Sequence, residues 1–167
     1  MKEMFFTIKC QYKRNSIRIE SNVDYDFRRF FSIQDSTILN SKFKIVCGKT
    51  FYDVIPFNTS LHFAISERMK NIIEKNNICG SNFFSIQLEN SVTVWGILPT
   101  SNAGKIVNLE RLNNLEDSSI EFELSSWDGS DIFCLKDSLC LVCTSKVKKL
   151  LESHKFTNIS FELCFGI

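Results

Sequence analysis

The sequence predicts an α+β fold made of two related strand–helix–strand units. An internal repeat, apolar residues at helical spacing inside each copy, and alternating apolar residues on either side of each predicted helix indicate this class. Each predicted helix is about three turns long, a length at which an isolated helix is only marginally stable. We therefore expect mixed or mostly antiparallel sheets with one helix packed on each.

The repeat relates residues 60–74 to residues 138–152 at an offset of 78 positions. Four pairs are identical: Ser60 and Ser138, Leu61 and Leu139, Lys70 and Lys148, Glu74 and Glu152. After a three-residue slip, the similarity continues between residues 84–88 and 159–163. Two copies of one unit, at about 60–88 and 138–163, are the economical explanation.

Each copy carries signals for the start and the end of a helix. Ser66 and Thr144 have hydroxyls that can accept the free amides of a helix start. Apolar residues follow on one helical face: Met69, Ile72 and Ile73 in the first copy, and Val147, Leu150 and Leu151 in the second. Gly80 or Asn158 then supplies a left-handed residue that lets the chain turn back into a strand.

The remaining elements are predicted as strands and turns. Strands are expected at 5–10, 16–20, 43–47, 120–124 and 131–135, and a hairpin at 83–88 and 92–98 with a bulge at Gly96. The turn-forming residues 100–104 are the expected connection between the two halves. Residues 1–49 form a strand-rich segment packed on the rest, and residues 50–167 form the duplicated domain.

The composition is that of a globular protein of a reducing compartment. Apolar residues make up 44% and charged residues 23% of the chain, and there are seven cysteines, an odd number scattered through apolar segments. Apolar runs are far shorter than the roughly 20 residues that span a bilayer. We expect a soluble cytoplasmic protein with free thiols and no membrane partner.

The charge is unevenly distributed along the chain. Residues 1–49 hold ten Lys and Arg against five Asp and Glu, whereas residues 110–131 hold seven acids and one arginine. The acidic stretch is either a solvated connection or a surface that faces a basic partner. For the second alternative the predicted partner-binding residues are Glu116, Asp117, Glu121, Trp127 and Asp128, with Trp127 as the anchor.

Signals for catalysis are weak. The two histidines, His62 and His154, lie near no Ser or Cys and Asp that would complete a triad in the sequence. Cys140 and Cys143 have the Cys-x-x-Cys spacing, but in a strand their thiols would point to opposite faces. Phosphate-binding glycine motifs are missing. The sequence therefore predicts no catalytic residues, no metal site and no cofactor.

A family resemblance points to a partner. Residues 131–136, 141–152 and 159–162 resemble the C-terminal half of family eleven of the bacterial immunity proteins from polymorphic toxin systems, formerly a domain of unknown function. Residues 53–56 followed by 65–70 look like the earlier strand-to-helix junction of that family. The resemblance implies a protein that binds and neutralises a cognate protein toxin and carries no catalytic residues.

Two other classes of function remain open at this point. One is an enzyme with a site between the two repeats, where His62, Cys140, Asp53 and Asp128 would converge. The other, less favoured at a pI of about 7.5, is a nucleic-acid-binding accessory protein that uses the basic N-terminal third. Monomer and homodimer are equally compatible with the sequence.

Overall fold

The computed structural model describes residues 3–22, 42–58, 62–113, 119–136 and 138–167. Helices and strands both occur, so the predicted α+β class is confirmed. The strands are β1 (Phe5–Cys10), β2 (Arg18–Ser21), β3 (Phe43–Cys47), β4 (Val54–Pro56), β5 (Phe63–Ile65), β6 (Ser81–Gln87), β7 (Thr93–Pro99), β8 (Asn102–Lys105), β9 (Glu121–Phe122), β10 (Ile132–Lys136), β11 (Leu141–Thr144) and β12 (Ile159–Gly166). The helices are α1 (Glu67–Lys75), α2 (Leu109–Asn113) and α3 (Ser145–Ser153), and a 3-10 turn spans Leu124–Ser126.

Two larger sheets organise these strands. The four-stranded sheet has the order β4-β5-β7-β6 and is antiparallel throughout. The six-stranded sheet has the order β8-β10-β11-β1-β12-β9 and is mixed, since its two edge strands run parallel to their neighbours. A separate ladder pairs β2 with β3. The antiparallel pairing of β6 with β7 confirms the predicted hairpin.

The predicted bulge at Gly96 is wrong. Gly96 pairs with Ala64 on one side and with Phe84 on the other, in an unbroken register. A Cβ atom at this position would lie 2.2 Å from the ring of Phe84. The glycine is therefore explained by the aromatic ring that covers it and not by an extra residue in the strand.

The expected connection at 100–104 is also corrected. Most of it belongs to β8, which pairs in parallel with β10 at the edge of the six-stranded sheet. Residues 100–104 have a turn-forming composition, which predicted a loop. Pairing with the buried strand β10 outweighs that local preference.

The N-terminal strand β1 lies inside the six-stranded sheet. It pairs antiparallel with β11 on one side and with β12 on the other. The strands that precede and follow α3 are therefore parallel to each other, with β1 between them. In the four-stranded sheet β7 has the same position, between the strands that precede and follow α1.

Pairing registers recur between the two sheets at an offset of 78 residues. Val54 opposite Ile65 recurs as Ile132 opposite Cys143, and Phe83, which faces β7, corresponds to Phe161, which faces β1. The same offset holds before and after the helices, so the predicted three-residue slip is wrong. A shift by an odd number of residues would have turned every side chain of β12 to the opposite face of the sheet.

Helices α1 and α3 begin differently. The hydroxyl of Ser66 accepts from the amide of Met69 at 3.2 Å, so the predicted cap of α1 is confirmed. Thr144 occupies the cap position of α3, but its hydroxyl makes no capping bond and donates instead to Asp131 at 3.5 Å. The first amide of α3, that of Ser145, donates to the carbonyl of Met4 at 2.9 Å and to the carboxylate of Glu3 at 3.2 Å.

The largest hydrophobic core lies between the two larger sheets and contains the inner faces of α1 and α3. Its buried members include Val54, Phe63, Ile65, Met69 and Ile73 from the first half, and Ile132, Leu141, Cys143, Val147 and Leu151 from the second. A smaller core under β2 and β3 and another around Phe5, Phe122 and Phe133 complete the interior. The second of these lies on the opposite face of the six-stranded sheet.

Gly80 and Asn158 both have left-handed backbones, with φ of 93° and 65°, which confirms the predicted turns after the helices. A Cβ at Gly80 would lie 2.0 Å from the carbonyl oxygen of Ile132. Asn158 is fully buried, and its amide donates to the carbonyl of Val54 at 2.8 Å. At Gly80 the missing side chain allows a close backbone approach, whereas at the equivalent turn the buried side chain of Asn158 fills the space.

Candidate partner-binding surface and inter-sheet cavity

One face of the six-stranded sheet carries large apolar side chains that are exposed. We use "apolar strip" for Met4, Val107, Leu163 and Phe165, whose exposed fractions are 53%, 50%, 41% and 44%. Leu163 and Phe165 are two apart on β12 and share one face. Continuing the register of β1 and β12 beyond Phe5 and Cys164 places Met4 opposite Phe165.

Glu121, one of the predicted partner-binding residues, lies within the strip. It pairs with Phe165 across β9 and β12, and its carbonyl accepts from the amide of Val107 at 2.9 Å. Its carboxylate accepts from Arg111 at 2.8 Å. The strip thus carries a carboxylate between its apolar members.

The equivalent positions on the four-stranded sheet are polar. Residues 78 before Leu163 and Phe165 are Ser85 and Gln87, and both are exposed. Thr93 lies opposite Gln87, as Met4 lies opposite Phe165, and its hydroxyl donates to the Gln87 side chain at 2.9 Å. The fold therefore accepts polar side chains at these positions.

Trp127, the predicted anchor, is half-buried on the other face of the six-stranded sheet. Its ring makes an edge contact with Phe5, with ring centroids 4.9 Å apart, and lies 6.3 Å from Phe133. Its indole N–H donates to the carbonyl of Ser130 at 3.0 Å. In this position Trp127 closes a hydrophobic core, and it does not share a face with Glu121.

Asp128 organises the turn after Trp127. Its carboxylate accepts from the amide of Ser130 at 3.0 Å and from the hydroxyl of Ser101 at 2.7 Å. The side-chain hydrogen bonds from Ser130 and Ser101 hold the pKa of Asp128 below its ordinary value. Glu116 and Asp117, the other two predicted residues, lie outside the described residues. A role in partner binding stays a prediction for all five.

Two carboxylates join the halves of the molecule. Asp53 accepts from the hydroxyl of Ser66 at 2.8 Å, from Arg68 at 2.9 Å and from the amide of Thr157 at 2.9 Å. Burial raises the pKa of Asp53, but hydrogen bonds from Arg68, Thr157 and Ser66 outweigh burial and hold that pKa below its ordinary value. The carboxylate connects the start of α1 to the turn that follows α3.

Asp131, 78 residues later, makes the reciprocal connection. It accepts from Lys146 at 2.8 Å, from Thr144 at 3.5 Å and from the amide of Cys79 at 3.2 Å. Burial again opposes ionisation, but the bonds from Lys146 and Cys79 prevail and lower the pKa of Asp131. Both carboxylates are thus ionised at neutral pH and used for structure.

A cavity of about 200 Å³ lies between the two sheets, beside the largest core. It is lined by Thr7, Ile8, Lys9, Cys10, Tyr12, His62, Phe63, Ile97, Leu139, Cys140 and Leu141. His62 and Cys140, two of the residues predicted to converge between the repeats, both line this cavity. Asp53 and Asp128 do not line the cavity.

The chemistry of the cavity favours binding over nucleophilic catalysis. Burial lowers the pKa of His62 to about 4 and raises the pKa of the Cys140 thiol. At neutral pH the imidazole is uncharged and the thiol keeps its proton, whereas a cysteine nucleophile needs a thiolate. Among the described lining residues there is no carboxylate that would orient the imidazole.

In the described part of the chain, no group of three or more His, Cys, Asp or Glu side chains is arranged to hold a metal ion. Among those same residues, no helix has the length and apolar character needed to span a bilayer. Two of the basic N-terminal residues stack on rings: Lys13 lies 5.7 Å from the ring of Tyr52, and Arg18 lies 5.6 Å from the ring of Tyr12.

No protein-family profile matches this chain, and no curated protein matches it in sequence.

Proposed function

We propose that this chain is an immunity-type binding protein that neutralises a cognate protein toxin, and that the apolar strip contacts the toxin. The exposure of Met4, Val107, Leu163 and Phe165 on one sheet face is the single observation that carries this proposal. Contiguous exposed apolar side chains with polar neighbours are typical of protein–protein contact surfaces.

The comparison with the four-stranded sheet supports a functional origin for the strip. Ser85, Gln87 and Thr93 occupy the equivalent positions without apolar exposure. Packing within the fold therefore does not require Leu, Phe or Met at 163, 165 and 4. Exposed apolar residues lower solubility unless a partner covers them, which favours a partner as the reason for their presence.

The charge around the strip supports a partner with a basic surface. Glu110 is exposed, Glu121 lies inside the strip, and both belong to the stretch 110–131 with its seven acids. Toxins that act on nucleic acid or nucleotides need basic clefts for their substrates. Acids beside an apolar anchor would accelerate encounter with such a cleft and fix its orientation.

We also propose that the two halves are copies of one duplicated unit, as the 78-residue offset predicts. The recurring registers, the reciprocal carboxylates Asp53 and Asp131, and the equal positions of β7 and β1 support a duplication. Under this proposal one copy kept polar side chains at these exposed positions and the other acquired the apolar strip.

The test transplants the polar face onto the strip. The variant carries Met4→Thr, Leu163→Ser and Phe165→Gln, the residues of the equivalent positions, and is co-expressed with each protein that the neighbouring genes encode. We expect the parent chain to bind one of these proteins and to protect the cell from it. The variant should bind that protein at least about 100-fold more weakly, since central apolar contacts dominate interface energies.

A matched control changes the equivalent positions of the four-stranded sheet. The variant Ser85→Ala, Gln87→Ala and Thr93→Ala alters the same number of equivalent positions and should bind as the parent does. Full protection by the transplant variant, with binding equal to that of the control, would exclude the strip as the contact surface. Failure of the parent to bind any product of the neighbouring genes would remove the toxin proposal itself.

A further inference from the structure

We propose that the inter-sheet cavity is a binding site for a small, uncharged aromatic molecule. The cavity lies where β1, β5 and β11 approach one another, and its walls come from both halves of the chain. Phe63 and Leu141, 78 residues apart, face it together with Ile8 and Ile97 from the two central strands. This site is separate from the apolar strip and does not depend on the proposed function.

The volume sets the size of the ligand. An engineered apolar cavity of about 150 Å³ holds benzene, so the cavity of about 200 Å³ suits a molecule of roughly eight to ten non-hydrogen atoms. The apolar walls provided by Ile8, Phe63, Ile97 and Leu141 favour a flat or compact hydrocarbon framework.

The charges of the described lining residues disfavour an ionic ligand. Among those residues there is no carboxylate that could serve a cation as a counter-ion. Lys9 is the one ammonium among the lining residues, and it is already paired with Glu162. An anion would therefore have to lose its hydration without gaining a free opposite charge.

Polar groups at the wall give the site a place for one hydrogen-bonding group. Thr7, Cys10, Tyr12, His62 and Cys140 are the uncharged polar residues among the lining, and Lys9 is the charged one. Few polar groups in an apolar cleft are the usual composition of small-molecule sites, where they fix the orientation of the ligand. A single-ring or fused-ring molecule with one N–H or O–H satisfies both requirements.

Indole is the probe for the first experiment, with benzoate as a charged molecule of the same size. Binding is followed by NMR chemical shifts of the full chain. We expect saturable binding of indole with a Kd below about 1 mM and at least ten-fold weaker binding of benzoate. Shifts should concentrate on β1, β5 and β11.

A blocking variant tests the location. Leu139→Trp places a larger side chain at the half-buried wall, and Val92→Trp adds the same side chain at an exposed turn as a control. We expect indole binding to weaken at least ten-fold in the first variant and to stay unchanged in the second. Equal binding of indole by both variants, or no saturation by the parent, would overturn the proposal.

A second measurement on the unmodified protein avoids any question of folding. Iodoacetamide labelling is mapped by mass spectrometry at Cys140, which lines the cavity, and at Cys47, which is exposed elsewhere. Saturating indole should slow labelling of Cys140 several-fold and leave Cys47 unchanged. Equal labelling rates at Cys140 with and without indole would contradict binding in this cavity.

Discussion

Exposed positions at equivalent places on the two sheets differ in polarity although the strand registers agree. On the four-stranded sheet Ser85, Gln87 and Thr93 meet solvent, whereas the six-stranded sheet exposes Leu163, Phe165 and Met4 at the equivalent positions. Inside the molecule the two halves are alike, with a reciprocal carboxylate and an inward helix in each. The difference therefore teaches that packing constrains the interior of both halves alike, while the exposed continuation of the same sheet faces follows separate demands.

The largest expected effect concerns the two turns that follow the helices. Gly80→Ala should lower the free energy of unfolding by roughly 3 kcal/mol, because a Cβ would meet the Ile132 carbonyl oxygen at 2.0 Å on a left-handed backbone. Asn158→Gly should cost about 2 kcal/mol, because it removes the buried amide bonded to Val54. Chemical denaturation of both variants gives the comparison. If Gly80→Ala is as stable as the parent, the close approach of the Ile132 carbonyl oxygen to position 80 is refuted.

The reciprocal carboxylates should differ in strength. Asp53 accepts five hydrogen bonds, four of them between 2.8 and 2.9 Å, whereas Asp131 accepts four, of which only the one from Lys146 is shorter than 3.0 Å. We expect Asp53→Asn to lower the free energy of unfolding by about 2–3 kcal/mol and Asp131→Asn by about 1–2 kcal/mol. Denaturation at pH 7 measures both. The reverse order would contradict the hydrogen-bond geometry as the cause.

The pair His62 and Cys140 predicts a pH dependence in one half only. Since burial lowers the pKa of His62 from 6.5 to about 4, the folded state resists protonation that the unfolded chain accepts. This contribution to stability is present above pH 6.5 and is lost as the pH falls towards 4, by about 2 kcal/mol between pH 7 and pH 5. His62→Cys, which copies the residue at position 140, should remove most of that slope. An unchanged slope in the variant would assign it to other groups.

The smallest effect is expected on the apolar strip. Phe165 is 44% exposed, so Phe165→Gln should change the free energy of unfolding by less than about 1 kcal/mol. The reverse exchange, Gln87→Phe on the polar sheet, should be similarly small. A loss of several kcal/mol in Phe165→Gln would show that the strip stabilises the fold and would weaken its assignment as a contact surface.

Local signals in the sequence predicted much of the interior. The hydroxyl of Ser66, the spacing of Met69 and Ile73, and the left-handed turns at Gly80 and Asn158 depend on residues close together in the chain. The role of Thr144 was only half predictable, because the first amide of α3 donates to the Met4 carbonyl and the Glu3 carboxylate, which are distant in the sequence. The strand at 102–105 likewise depends on pairing with β10, which composition does not reveal.

The site was less accessible to sequence reasoning. Alternating apolar residues along β12 indicate a strand face, but that pattern is the same for a buried face and for an exposed one. Trp127 illustrates the converse, since an aromatic residue among polar turn residues predicted a partner-binding anchor, and its contact with Phe5 was not visible in the sequence. His62 and Cys140 line the same cavity because of tertiary packing. Their spacing along the chain does not reveal this.

Hydroxyl-radical footprinting of the chain, free and in complex with the partner that co-expression identifies, tests the central claim most directly. Phe165 and Phe51 are equally exposed, at 44%, and lie on different elements, so the same side chain reports on the strip and on a control surface. We expect oxidation of Phe165 and Met4 to fall several-fold in the complex while Phe51 is unchanged. Unaltered oxidation of Phe165 and Met4 in a saturated complex would contradict the account and place the contact surface elsewhere.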